Sequence, residues 1–136
     1  MQSPQTPRTT SVAVTRGVRV AVRSQYLPSR SNPAQRHYAF AYTIRITNEG
    51  EATVQLLTRH WIITHADGHV EEVRGPGVVG HQPVLRRGES FEYTSGCVLR
   101  TTRGTMQGSY QMVDEHGQQF DAQIAEFSLE MPHSLN

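Results

Sequence analysis

The strongest constraint on the fold is a strict alternation of large apolar residues with small or polar ones over Arg36–Asn48. Every second position carries a large apolar side chain, and these are Tyr38, Phe40, Tyr42, Ile44 and Ile46. Successive side chains of a β-strand point to opposite faces, so this period places all of them on one face. The segment is therefore predicted to be an antiparallel strand with one face packed on a core.

Other segments repeat this pattern, and no stretch of a dozen residues keeps apolar positions at the helical period of 3.6. The further predicted strands are residues 12–27, 52–65, 70–74, 83–85, 90–99, 105–113 and 118–129. Gly17 is interpreted as a bulge or kink, and parity changes predict bulges near Leu57–Arg59 and Ala125–Glu126. About seven to eight short strands separated by turns predict an all-β, fibronectin-III-like or immunoglobulin-like antiparallel β-sandwich.

Length and composition limit the organisation and the class of partner. The 136 residues suit one domain, with a disordered arm at residues 1–11, the sandwich at 12–130 and a flexible tail at 131–136. Thirteen basic against twelve acidic residues leave a formal charge of +1, so no nucleic-acid or membrane-surface partner is expected. The chain has no apolar run long enough to span a bilayer and no secretory signal, which predicts a cytoplasmic location.

Several long blocks, in the same order, closely resemble the ApaG family, which is also called CorD. The blocks are residues 59–64, 73–80, 82–85, 91–97 and 104–113, within a resemblance that spans about residues 18–129. The resemblance implies a fibronectin-III-like sandwich in the bacterial cytoplasm, with a genetic link to cobalt tolerance and magnesium efflux. It also implies a gene beside that of a diadenosine-tetraphosphate hydrolase. The resemblance also implies that the same domain lies at the end of two larger eukaryotic proteins, an F-box protein and a polymerase-δ-interacting protein. In both it looks like an interaction module.

Residues 75–82, named here the glycine loop, contain a literal G-x-G-x-x-G formed by Gly75, Gly77 and Gly80. In dinucleotide-binding proteins this pattern joins a strand to a helix whose N-terminus meets a pyrophosphate. Here Gln82 and Pro83 follow almost at once, so no helix is expected. Two interpretations remain: a bridge between strands, or a nest of N–H groups that binds phosphate with help from nearby arginines. Those arginines are Arg74, Arg86 and Arg87.

Four histidines fall within 22 residues: His60, His65, His69 and His81. Neutral imidazole binds Co²⁺, Ni²⁺ and Zn²⁺ well, so the group is a candidate metal site. If Asp67 and Gly68 form a two-residue turn, however, His65 and His69 point to opposite sides of the hairpin. No metal site is therefore predicted, and the histidines are expected to face solvent.

No catalytic group emerges from the remaining reactive residues. Cys97 shares the parity of Phe91 and Tyr93, which predicts a small buried hydrophobe rather than a nucleophile. The carboxylates of Glu71 and Glu72 alternate across a strand. Arg86, Arg87, Arg100 and Arg103 lie on turns that would form a basic patch only if they met at one end of the sandwich. The protein is expected to be neither an enzyme nor a cofactor carrier.

The sequence therefore favours a monomeric protein-interaction module that binds an unidentified protein. The glycine loop, with Val78 and Val79 between its prolines, and the Arg86/Arg87 turn form the expected contact surface. The loop is equally consistent with a cap over one end of the core. The alternative function is weak binding of pyrophosphate, a nucleotide or a divalent cation by the same loop.

Overall fold

The computed structural model of the protein describes residues 8–132. Residues 1–7 of the predicted arm and residues 133–136 of the predicted tail lie outside the described residues. The first strand begins at Thr10, inside the segment expected to be disordered. Its pairing extends to Thr9, whose carbonyl accepts a hydrogen bond from the Ser24 amide.

In residues 8–132, nine strands form two antiparallel sheets that stack as a sandwich, which confirms the predicted fold class. One sheet has the order β1-β2-β3-β7, and the other has the order β5-β4-β8-β9 with β6 also paired to β4. The strands are β1 Thr10–Thr15, β2 Val18–Tyr26, β3 Tyr38–Asn48, β4 Val54–His65, β5 Val70–Pro76, β6 Val84–Leu85, β7 Ser90–Leu99, β8 Arg103–Asp114 and β9 Gln119–Glu130.

Between residues 8 and 132 there is no α-helix, only the short 3₁₀ turns Pro28–Arg30 and Pro33–Gln35. No helix in this part of the chain is long and apolar enough to cross a membrane.

Gly17 ends a strand rather than bending one, which corrects its interpretation as a bulge. Arg16 and Gly17 both have positive φ, 49° and 81°, as a two-residue hairpin turn requires. The segment predicted as one long strand is therefore a hairpin, in which β1 and β2 pair from Thr10↔Arg23 to Thr15↔Val18.

The two bulges predicted from parity changes are confirmed. The β4–β8 register shifts between Leu56 and Thr58, so Leu57 is the extra residue. The β8–β9 register passes from Met106↔Phe127 to Gly108↔Ile124, which leaves Ala125 and Glu126 opposite a single residue. Each bulge returns the later apolar residues of its strand to the inner face.

The alternating residues fill the core as their period predicts. Phe40, Tyr42, Ile44 and Ile46 of β3 are all buried. Across the sandwich Trp61 meets the ring of Tyr42 edge-on at 5.3 Å between centroids. Aromatic packing of this kind holds the sheets together without a disulfide.

The two lateral sides of the sandwich are closed unequally. On one side β9 is tied to the first hairpin, since Ser11 Oγ donates to Ala125 O and the Gln123 amide donates to Thr15 Oγ1. On the other side lie the edge strands β5 and β7, and no hydrogen bond joins these strands in the described part of the chain. We call this second side the open side.

Candidate functional site

The glycine loop leaves the edge strand and returns to the same sheet without forming a helix. Gly75 and Pro76 still belong to β5, and the chain resumes pairing with β4 at β6. Gly77 and Gly80 have positive φ values of 59° and 82°, which glycine adopts without strain. The expected absence of a helix after Gly80 is confirmed, so no helix N-terminus faces a ligand here.

Arg59 holds this loop, a role that the interpretation of the motif did not foresee. It pairs with Gly75 across the strands, and its Nη1 donates to Pro76 O at 2.9 Å and to Gly77 O at 3.0 Å. The guanidinium lies so close to Gly75 that a Cβ there would sit 3.0 Å from it. The sequence did contain a signal for this role. The parity change before Arg59 places its side chain on the same inner face of β4 as Trp61.

Three backbone N–H groups of the loop, those of Gly77, Val78 and His81, are already used within the protein. The Gly77 amide donates to Leu57 O, and Val78 and His81 exchange two hydrogen bonds of 2.8 Å. An anion-binding nest needs successive free N–H groups that point to one place. The amides of Gly77, Val78 and His81 and the inward-facing guanidinium of Arg59 are therefore not available to a pyrophosphate.

Val78 and Val79 divide the two roles expected of the loop. Val78 is buried and caps the core, whereas Val79 is 53% exposed. Val79 also has a φ of 42°, which is rare for a β-branched residue because its Cβ crowds the backbone. Such strain persists only where the surroundings impose it, and it concentrates at functional positions.

The structure does not bring the predicted arginines to the glycine motif as a group. Arg74 lies within β5, directly before Gly75 in sequence and opposite His60 across the strands. Arg87 is beyond β6, with its Nη1 3.7 Å from the Glu51 carboxylate, and the Arg86 amide donates to Glu89.

The arginines of the two turns lie at opposite ends of the sandwich, so within residues 8–132 they do not form a common basic patch. The turn after β6 lies beside the start of β4, where Val54 pairs with Leu85. Arg100 lies at the other end, where its amide donates to His65, the last residue of β4. A strand of β4's length separates these ends by tens of ångströms.

His65 and His69 lie on the same side of their hairpin, which corrects the expectation that they point apart. The turn is one residue longer than predicted, because the Gly68 amide bonds to His65 O and the His65 amide bonds to His69 O. Gly68 with a φ of 91° completes a three-residue loop. The rings of His65 and His69 are 5.1 Å apart, and Glu71 Oε1 lies 3.4 Å and 3.5 Å from their Nε2 atoms.

The spacing of this trio resembles a metal-ligand set, but the hydrogen bond that His65 accepts at Nδ1 opposes that role. His65 is buried, and its Nδ1 accepts the Arg100 backbone N–H at 3.2 Å. A neutral imidazole that accepts at Nδ1 carries its proton on Nε2, the atom that would have to face the metal. The trio is better explained as a contact of the β4–β5 hairpin with the β7–β8 turn.

The other histidines also have structural partners. His60 Nε2 lies 3.0 Å from Glu72 Oε1 on the outer face of the sheet, and the His81 ring packs on Phe91. A groove of about 800 Å³ opens beside His65, but Arg8 and Arg103 share its lining with Glu126 and Glu130. Charges of both signs offset each other there, so the groove favours no simple anion or cation.

Cys97 packs against the core on the inner face, as its parity predicted. Burial, with a smaller effect of the Glu71 carboxylate, raises the pKa of its thiol to about 12. A thiol in that state is a poor nucleophile at neutral pH. Asp114 accepts from the amides of His116 and Gln118 and thus has a structural role in its turn.

Residues 28–114 match the ApaG domain family. The chain is 58% identical to Protein ApaG of Rhodospirillum centenum over 120 residues, which cover 88% of this chain and 92% of the relative. It is 56% identical to Protein ApaG of Anaeromyxobacter dehalogenans over 126 residues, which cover 93% and 99%.

Comparison with solved structures leads to the same group of proteins as comparison with sequences. The crystal structure of the putative ApaA protein from Bordetella pertussis superimposes with a TM-score of 0.82 at 49% identity, covering 95% of this chain and 100% of that one. The C-terminal domain of wzt shares only the fold, with a TM-score of 0.54 at 11% identity, covering 96% of this chain and 84% of that one. On sequence and structure together, the chain belongs to the ApaG family.

Proposed function

We propose that this protein is a non-enzymatic protein-interaction module that docks a cytoplasmic partner on the glycine loop and the turn after β6. The observation that carries the proposal is Val79, an exposed β-branched side chain held at positive φ on a loop that Arg59 fixes. A rigid apolar contact loses little conformational entropy on binding, which favours its use as an anchor.

The surrounding surface supports the same role. Val84 is also exposed, and the Arg86/Arg87 turn follows it directly. Because β5 and β6 pair with the same edge of β4, the loop and this turn run along one margin of the sheet. An apolar centre beside a turn that carries charges of both signs is typical of a protein-binding patch with a polar rim.

The family resemblance implies a genetic link to cobalt tolerance and magnesium efflux. This link fits the proposal if the partner, rather than the module, binds the ion. The side chains of His65, His69 and Glu71 contact one another within the protein, and His65 Nδ1 accepts the Arg100 amide. The raised thiol pKa of Cys97 likewise supports a protein without a nucleophile.

Site-specific photo-crosslinking in living cells tests the docking surface. A photoreactive amino acid at Val79 is expected to give a discrete adduct with one protein, whereas the same group at Val14 gives none. Val14 is an equally exposed valine on β1, 56% against 53%, so it controls for exposure. Equal adducts at both positions, or none at Val79, would exclude the loop as the docking site.

Ligand titration tests the alternative, in which the same loop binds pyrophosphate, a nucleotide or a divalent cation. Pyrophosphate, ATP, diadenosine tetraphosphate, Mg²⁺ and Co²⁺ are added in turn while backbone amide resonances are followed. We expect no saturable shift at Gly77, Val78 or His81, because their amides already donate within the protein. A saturable shift confined to residues 75–80 would favour the alternative and count against the docking proposal.

A further inference from the structure

Strand β5 is an unusually exposed sheet edge on the open side. It pairs with β4 along its length, from Thr58↔Pro76 to Thr64↔Val70, and no strand of the described part of the chain pairs with its other edge. Each residue from Val70 to Arg74 is exposed. A free edge with alternating side chains is a template for a further strand.

The hydrogen bonds to β4 show which backbone groups of β5 are free. The His65 amide donates to His69 O and the Gly77 amide donates to Leu57 O, so odd-numbered residues direct their backbone groups toward β4. In an antiparallel ladder the alternate residues point the other way. The N–H and C=O groups of Val70, Glu72 and Arg74 are therefore available.

The available edge has a defined end. Pro76 has no N–H to offer, and its carbonyl accepts from Arg59. A new strand can therefore pair with residues 70–74 but cannot extend into the glycine loop.

The charges on this edge complement a second copy of the same strand. Glu72 and Arg74 are neighbours on the outer face, and within residues 8–132 Arg74 has no carboxylate within 4.0 Å. If two copies of β5 run antiparallel about Val73, each Glu72 faces Arg74 of the other copy. Each Val70 then faces Pro76, so the ladder hydrogen bonds are confined to Glu72 and Arg74. Opposite charges at such cross-strand positions stabilise a sheet.

We propose that the protein forms a two-fold dimer through β5, with Val73 on the axis and the two sheets continuous. The Val73 side chains, 37% exposed in the single chain, then contact each other. The rival arrangement, with Glu72 on the axis, places two carboxylates opposite each other, which is unfavourable. This dimer departs from the monomer expected from sequence and does not depend on the docking function of the glycine loop.

The predicted interface is small, so the dimer is expected to be weak. Edge pairing alone buries less than the ~1,200 Å² typical of stable complexes, which indicates association at about 10 µM to 1 mM protein. Sedimentation velocity across that range is expected to show a reversible monomer–dimer equilibrium. A single monomeric species throughout would refute the proposal.

Charge exchange tests the pairing without relying on one variant to fold. Glu72→Arg and Arg74→Glu should each raise the dissociation constant about tenfold, because each dimer then sets like charges opposite one another. A mixture of the two variants should dimerise as the unmodified protein does, since every cross-strand pair in the mixed dimer is again complementary. The double variant E72R/R74E should also dimerise. Failure of the mixture to associate would overturn the predicted charge pairing.

Cysteine cross-linking tests the register. In a Cys97→Ala background, Val73→Cys is expected to form a disulfide-linked dimer, because non-hydrogen-bonded partners have Cα atoms about 4.5 Å apart. Glu72→Cys is the matched control, since Glu72 does not face itself in this register. Preferential cross-linking through Glu72→Cys would assign the rival register instead, and no cross-link at either position would argue against a β5 dimer.

Discussion

Arg59 lies on the inner side of β4 and donates to two carbonyl groups of the glycine loop. No carboxylate within 4.0 Å neutralises it in residues 8–132, so these carbonyls are its principal partners. Both hydrogen bonds leave the single nitrogen Nη1, at the far end of a planar guanidinium that holds its N–H groups in fixed directions. A lysine side chain is one bond shorter and ends in a freely rotating ammonium, so it does not place a donor at the same point. The geometry of the loop therefore depends on this residue being arginine.

Replacement of Arg59 by lysine is expected to loosen the glycine loop. The change keeps the charge but shortens the side chain, so the two hydrogen bonds from Nη1 to the loop carbonyls are weakened, which costs about 1–3 kcal/mol of unfolding free energy. Amide exchange at Val78 and His81 should accelerate, as measured by NMR. Arg19→Lys is the control, since Arg19 makes only an exposed 4.0 Å pair with Glu49 and should change stability by less than about 0.5 kcal/mol. Unchanged exchange in Arg59→Lys would contradict the role assigned to the arginine.

At the scale of elements, the hairpin turns decide how the strands meet. Gly17 closes the first hairpin and Gly117 closes the β8–β9 hairpin, with almost equal φ values of 81° and 80°. They differ in surroundings, because a Cβ at Gly17 would lie 2.7 Å from Gly50 Cα, whereas nothing lies within 4 Å of one at Gly117. The first turn is thus packed against the β3–β4 connection, and the second is free.

Paired alanine substitutions separate backbone strain from packing. Gly117→Ala is expected to cost about 1–2 kcal/mol, the penalty of a left-handed conformation. Gly17→Ala should cost about 1–3 kcal/mol more, because the added methyl group forces the two connections apart. Urea unfolding of both variants measures the difference. Equal losses would mean that the contact with Gly50 relaxes at no cost.

At the scale of the whole molecule, a hydroxyl pair joins the two sheets. Tyr93 of β7 and Tyr110 of β8 hydrogen-bond to each other inside the core. Burial raises the pKa of both phenols, and burial also raises the pKa of Cys97 to about 12. In the folded protein these groups therefore hold their protons at alkaline pH.

The stability of the sandwich is consequently expected to fall as the pH rises. The unfolded chain releases these protons from about pH 9 for the thiol and pH 10 for the phenols, while the folded chain keeps them. The contribution of these groups to the free energy of unfolding is thus fully present below pH 9. Above the unfolded pKa of each group, that contribution declines by about 1.4 kcal/mol per pH unit. Urea unfolding between about pH 8 and 11 measures this slope. Tyr93→Phe should reduce the slope, and an unchanged slope would contradict the assignment.

Much of the architecture was predictable because it depends on how apolar and polar side chains alternate among residues that are close in sequence. The alternation in β3, the displaced parity at Leu57 and the displaced parity at Ala125 each follow from the rule that side chains alternate along a strand. The missing helix after Gly80 follows equally locally, since Pro83 comes too soon.

Other features were not predictable because they depend on a choice between turns that differ by one residue. His65 and His69 meet because the β4–β5 loop has three residues rather than two, and a shift of one residue moves a side chain to the other face. Gly17 closes a hairpin because β1 pairs with β2 and lies against β9, contacts that are distant in sequence.

The amino-acid order by itself determined that the chain forms strands, which side chains face inward and where the ladders bulge, since these depend on neighbours in sequence. Tertiary structure alone decided that Arg59 reaches the glycine loop, that Val79 is exposed while Val78 is buried, and that β5 has a free edge. These depend on which strands become neighbours, and that choice minimises the free energy of the whole core rather than of any single segment.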